Sequence, residues 1–201
     1  SSAILLTLFI APIARVAAPL IAKLWHASDK KQISKILSFI INNFLIFMLP
    51  IAVVFAIFAK SFVFAIYGEK FVNSVILLKI LSVTMVVVGL NTIFVVVINS
   101  LGRAKELSRI ILFVGLLNFI GNISVVNYWG ILGVTLVTIC AYLLSTLLFI
   151  KTISSQIKIQ LDIKNMLKVL LSSAMFTVTA IVLIKKIYFE YIDIKILNFI
   201  I

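Results

Sequence analysis

This chain is short of charge. Asp, Glu, Lys and Arg make up 12% of its 201 residues, where an average soluble domain has about a quarter. Acids are the scarcer sign. The six, Asp29, Glu69, Glu106, Asp162, Glu190 and Asp193, all fall in loops or near ends of apolar runs. The runs therefore lack the intramembrane carboxylate that usually marks a proton or sodium relay. The one cysteine, Cys140, forms no intrachain disulfide or thiolate cluster. Its setting, "TICAYLL", makes it a small apolar packing residue. The one histidine, His26, lies in a basic loop and reads as solvated. There is no Ser-His-Asp set, no phosphate-binding glycine loop and no metal-ligand spacing, so an enzyme reading has no residue to stand on and no cofactor is expected.

What is present is hydrophobicity, at 64% of residues. Apolar runs cover roughly 3–22, 36–59, 75–98, 110–127, 131–150 and 169–184, and the tail "KKIYFEYIDIKILNFII" could begin a seventh. At ~1.5 Å per residue such runs cross a hydrocarbon core of ~30 Å. Lipid cannot satisfy exposed backbone groups, and the pattern is not the ten-residue alternation of a barrel. The expected fold class is all-α: a polytopic transmembrane helical bundle of six to seven segments. The links between runs are "KLWHASDKKQISK", "KSFVFAIYGEKFVNS", "NSLGRAKELSR", "NYWG" and a longer basic linker, "KTISSQIKIQLDIKNMLK". Pro12, Pro19 and Pro50 are expected to kink their helices. Gly68, Gly102, Gly130 and Gly133 are expected at turns or close helix contacts.

A net charge of +12 is explained by the positive-inside rule rather than by nucleic acid. Lys23, Lys30, Lys31, Lys35, Arg103, Lys105, Arg109, Lys151, Lys158, Lys164 and Lys168 fall on one side of the alternating topology. Lys60, Lys70, Lys79, Lys185, Lys186 and Lys195 fall on the other. The richer side is expected to be cytoplasmic, and the "NYWG" turn then faces outward, with Tyr128 and Trp129 at the interface. The alternating "QIKIQLDIK" fits either a plain loop or a headgroup-level segment whose lysines meet anionic lipid.

Few polar groups remain inside the runs. Arg15 is the deepest charge; it either lines a water-filled cavity that meets a phosphate or snorkels to the interface. Asn118 and Asn122 are four apart, hence on one helix face. Asn91 and Asn99 lie in the third run, and Asn42 and Asn43 in the second. These amides either bond between helices or line a hydrophilic path. Arg15, Asn91, Asn118 and Asn122 are the candidate substrate or cavity residues.

Four stretches, in order, resemble one family. "APLIAKLWHASDKKQISK" is similar to the P-x-(I/L)-(S/A)-K-L…(G/S)-D loop of polysaccharide flippases. "FAIYGEKFVNSV" is similar to their (F/Y)-G-x-x-(F/Y) element, and "INSLGRAKELSR" to N-x-L-G-(R/K)-x-K. "NFIGNISVVNYWGILGVTLVT" resembles their paired-asparagine hairpin, with Asn127 where the family often has proline. The resemblance is to Wzx-type O-antigen flippases, in the MOP superfamily that also holds MATE exporters. It implies that 1–150 is an incomplete C-terminal lobe of a two-lobed transporter, and 151–201 a basic linker with additional C-terminal helix. It implies transport of an undecaprenyl-diphosphate-linked oligosaccharide by alternating access in the bacterial cytoplasmic membrane. Implied partners are the lipid-linked oligosaccharide, membrane lipids, a missing N-terminal lobe and the glycan polymerase machinery. A MATE-type organic-cation exporter, a membrane polysaccharide polymerase and a structural membrane subunit are the alternatives.

The charge pattern gives a topology that can be checked. In the full-length chain carrying Cys140→Ser, a thiol introduced at Ser28 or Lys105 should label only from the cytoplasmic side, and one at Asn127 only from outside. Labelling of all three from one side contradicts the assignment.

Overall fold

The computed structural model describes residues 17–72, 74–159 and 162–179. Arg15, Pro12, the start of the first run and the tail beyond 179 lie outside the described residues. Those described form a bundle of helices, with no strand among them. The helices are α1 (17–26), α2 (Lys30–Ile57), α3 (Ala59–Tyr67), α4 (Ser74–Ser100), α5 (Ala104–Ser154) and α6 (163–179), with a single 3-10 turn at Glu69–Phe71. Three of them, α2, α4 and α5, are long and apolar enough to cross a membrane.

α5 is too long to be one rod. Its 51 residues would reach ~77 Å if straight, well over twice a hydrocarbon core. It folds at Gly130, whose φ of 55° and ψ of −142° interrupt the helix. The positive φ favours glycine there. The result is a hairpin with arms 104–129 and 131–154, which bears out the expected "NYWG" turn. Two glycines set the spacing of the arms. A Cβ on Gly121 would lie 2.7 Å from the Val137 side chain, and one on Gly133 would lie 2.2 Å from Val125. In lipid, where burying apolar surface gains little, such close approach is a main source of helix association.

α4 is the central rod. Of its most apolar stretch 44% is buried, against 22% for α2 and 17% for α5. α2 turns Ile33, Leu37, Ile41, Phe44 and Met48 toward it, the spacing of one helix face. They meet Val86, Ile93, Phe94 and Val97 of α4, and Phe149 and Ile153 of α5 complete the core. The Phe44 ring lies over Gly89, and a Cβ there would be 2.1 Å from its tip. The outer faces are apolar too: Phe39, Phe47 and Phe119 are each about two-thirds exposed. A water-soluble bundle would hide these rings; a membrane bundle gives them to lipid.

Several links differ from the sequence reading. The first basic loop shrinks to 27–29, because α1 runs to 26 and α2 starts at Lys30. Its compactness comes from a helix-ending motif. The Ser28 N–H donates to Trp25 O (3.0 Å) and the Asp29 N–H to Leu24 O (3.0 Å), with Ser28 at φ 57°. Asp29 then caps α2 by accepting from the Gln32 N–H at 3.0 Å. The same motif at Gly102 (φ 73°) joins α4 to α5: Gly102 N–H to Asn99 O and Arg103 N–H to Ile98 O. The expected 60–74 link is largely helical, as α3. Phe55 stacks on Phe62 at 5.1 Å across the break at Phe58, and Ala59 and Val63 are buried. Gly68 (φ 78°) ends α3. α2 continues through Pro50 to Ile57, and Pro19 lies exposed in α1. Cys140 is exposed rather than packed against protein, because its side of the second arm faces outward.

The long linker is not a free loop either. α5 continues to Ser154 and α6 begins at 163. Between them a turn at 155–156 leads on, and described residues on this stretch bond to α2. Lys30 Nζ donates to Gln156 Oε1 (3.3 Å), Ser34 Oγ donates to Lys158 O, and the Asp162 N–H donates to Asn42 Oδ1 (3.2 Å). Ile157 is buried beneath it and Ile159 packs on the core.

The tight contacts should be measurable. Gly89→Leu should lower the thermal midpoint of the detergent-solubilised protein, at a cost of ~1–3 kcal/mol for overpacking. Adding Phe44→Ala should recover much of it. A Gly89→Leu protein as stable as wild type contradicts this packing.

Candidate functional site

Polar chemistry inside the bundle gathers where α4 faces the hairpin. Asn91 is buried on α4. Its Nδ2 donates to Val87 O (3.0 Å), to Tyr142 O (3.2 Å) and to Thr146 Oγ1 (2.6 Å). Its Oδ1 accepts from Ser145 Oγ. Ser145 and Thr146 also bond back to Tyr142 O at 2.8 Å. This satisfied knot ties α4 to the second arm, so Asn91 makes an interhelical bond.

Beside the knot is a cavity of about 440 Å³ between α4 and both arms. Asn91, Thr92, Ile111, Asn118, Tyr142 and Ser145 are among its lining residues. Asn118 stands about 14 residues from the start of α5 and 12 from the Gly130 turn, so the cavity sits near mid-membrane. Its lining mixes aliphatic walls with amide and hydroxyl groups and contains no charged side chain.

Asn122 lies one turn further along. Its Nδ2 donates to Asn118 Oδ1 (3.1 Å), which also accepts from Thr138 Oγ1 (3.4 Å). The expected shared face of Asn118 and Asn122 is therefore real. Asn122 Oδ1 is buried with no partner among the described residues. An orphaned acceptor costs ~1–3 kcal/mol until a donor reaches it. A ligand presenting hydroxyl or amine hydrogens would meet that need.

The structure thus places Asn91 and Asn118 on the cavity between α4 and the hairpin, with Asn122 bonded to Asn118 one turn away. Arg15 lies outside the described residues. The glycines take structural parts: Gly68, Gly102 and Gly130 turn the chain, and Gly133 is buried where the arms touch. Asn99 is exposed, and Asn43 bonds locally to Phe39 O. Sequence reasoning missed Ser145, Thr146, Tyr142 and Thr138. The "ST" pair inside "YLLSTLLF" was a usable signal, being two adjacent hydroxyls in an apolar run. Among the described residues no three His, Cys, Asp or Glu side chains gather as a metal site.

Against known proteins, residues 2–76 match the model of a family described as polysaccharide biosynthesis protein. No curated protein and no solved structure matches the chain. With the fold, this defines the class: an α-helical membrane bundle, similar over that N-terminal stretch to polysaccharide biosynthesis proteins. The match supports a membrane protein of polysaccharide synthesis or transport, in line with the resemblance read from the sequence.

Two amides should respond differently to truncation. Asn91→Leu breaks the knot and should lower the thermal midpoint, at ~0.6–1.7 kcal/mol for an intramembrane hydrogen-bond site. Asn122→Leu loses its bond to Asn118 but also removes an orphaned acceptor, so the two effects offset and the midpoint should stay within error. Equal losses in the two variants contradict this assignment.

Proposed function

We propose that the chain is part of a transporter that moves a lipid-linked oligosaccharide, carried on undecaprenyl diphosphate, across the bacterial cytoplasmic membrane. One observation carries the reading: the match of residues 2–76 to polysaccharide biosynthesis proteins joins a mid-membrane cavity with uncharged amide and hydroxyl lining. Amides and hydroxyls hydrogen-bond to sugar hydroxyls without carrying a counter-ion into hydrocarbon. Asn118, which lines the cavity, and Asn122, bonded to it one turn away, are the residues of choice, since Asn91 is spent on the knot. Arg15 is the candidate cation for the diphosphate.

The mechanism is alternating access. These helices form part of one lobe, residues 1–150, and a second lobe N-terminal to it completes the path; transporters of this kind place their sites between structural repeats. The hairpin pinned by Gly121 and Gly133 moves as a unit with α4. The lipid tail stays in the bilayer while the glycan crosses. The protein is not an enzyme: it breaks no bond of its cargo. A cation exporter would favour an acid in the cavity, and the lining described here has none.

Deleting the full gene should leave lipid-linked repeat units trapped on the cytoplasmic face and reduce surface glycan. Complementation with Asn118→Leu or Arg15→Ala at normal expression should restore less export than wild type. Normal surface glycan in the deletion strain, with no paralogue present, contradicts the proposal.

A further inference from the structure

The basic end of the bundle collects cations that no carboxylate meets. The chain after α5 brings Lys158 opposite Ser34, whose hydroxyl donates to the Lys158 carbonyl. Lys30 bonds to Gln156 beside it. Lys158 therefore joins Lys31 and Lys35, three residues before and one after Ser34 on α2. All three lysines are exposed.

The carboxylates at this end are occupied. Asp29 caps α2 through the Gln32 N–H. Asp162 caps α6, accepting from the Asn165 N–H (3.1 Å) and Nδ2 (2.6 Å). Glu106 pairs with Arg103 at 2.7 Å, and Arg103 Nη1 also donates to Thr152 O (2.9 Å). That is the one salt bridge among the described residues. Lys30 is engaged as well: its Nζ stands 5.7 Å from the Trp25 ring centroid and donates to Gln156. His26, exposed at the end of α1, adds no negative charge.

Directly toward the membrane, the same surface becomes apolar. Phe39, one turn beyond Lys35, is 68% exposed, and Ile163 and Leu167 of α6 are 62% and 56% exposed. The Asp162–Asn42 hydrogen bond brings the start of α6 to this level of α2. Cations above and bare apolar side chains below match a phosphate headgroup with its acyl chains.

We propose that Lys31, Lys35 and Lys158 form a binding site for an anionic phospholipid in the leaflet at the basic end, its phosphate on the lysines and its chains against Phe39 and Ile163. Juxtaposed lysines near a membrane surface each favour an anionic headgroup. The linker is then a docking element that holds the chain's C-terminal part against α2 through a shared lipid. The inference rests on the membrane bundle and not on the nature of the transported cargo.

The test uses the full-length protein in phosphatidylcholine vesicles with spin-labelled phosphatidylglycerol or phosphatidylcholine as probe. Wild type should select phosphatidylglycerol by about threefold or more, with the preference falling as salt rises. Lys31→Gln/Lys35→Gln/Lys158→Gln should lose most of that preference, and the triple Lys→Arg variant should keep it. Lys105→Gln/Arg109→Gln/Lys151→Gln, which removes equal charge from the neighbouring α5 ends, should keep most of it. An unchanged preference in the first glutamine variant overturns the site. So does an equal loss in the α5 variant, which would mean net charge alone is read. Abolition by inorganic phosphate at constant ionic strength would reassign the lysines to a soluble anion.

Discussion

Close approach of helix backbones is the constraint on which the rest depends. In water, burying apolar side chains would hold these helices together. In hydrocarbon that gain largely vanishes, and specificity falls to shape and to hydrogen bonds. Gly89 under Phe44, Gly121 against Val137 and Gly133 against Val125 are the places where this chain yields side-chain volume to bring helices together. The Asn91 knot fixes the remaining degree of freedom, the sliding of α4 along the second arm. Its bonds reach Tyr142, Ser145 and Thr146 at one level of the bundle.

The same constraint shapes the ends. A bundle without a large soluble domain must turn its chain at the interface within few residues. Two turns do so with one backbone motif, built on Ser28 and on Gly102. Arg103 then clamps the α4–α5 turn to the end of the second arm. The basic ends that the charge pattern assigned to one side are joined in space by these contacts and by the linker along α2.

Much of this was legible in the residues. Apolar length gave the helices, and "NYWG" gave the hairpin, because a glycine beside interfacial aromatics has few other uses. The i, i+4 spacing of Asn118 and Asn122 gave their common face. The linker was not legible: its path depends on Ser34 and Asn42, more than a hundred residues away, and no local pattern encodes such pairings. The helix α3 was masked by its charged flanks, Lys60 and Lys70. The partners of Asn91 were hidden for another reason. Ser145 and Thr146 bond to the backbone of their own helix as well, so hydroxyls like these are common in membrane helices whether or not they meet a neighbour. The cavity follows from three helices meeting unevenly, which only their packing reveals.

The central claim is that a bundle of this kind carries glycan-bearing lipid between leaflets. The most direct measurement is leaflet exchange in vesicles containing the full-length protein and a fluorescent lipid-linked oligosaccharide in both leaflets, with a membrane-impermeant quencher outside. The account predicts that the protected inner-leaflet signal decays with time, and decays more slowly with Asn118→Leu. A protected signal as persistent as in protein-free vesicles would contradict it.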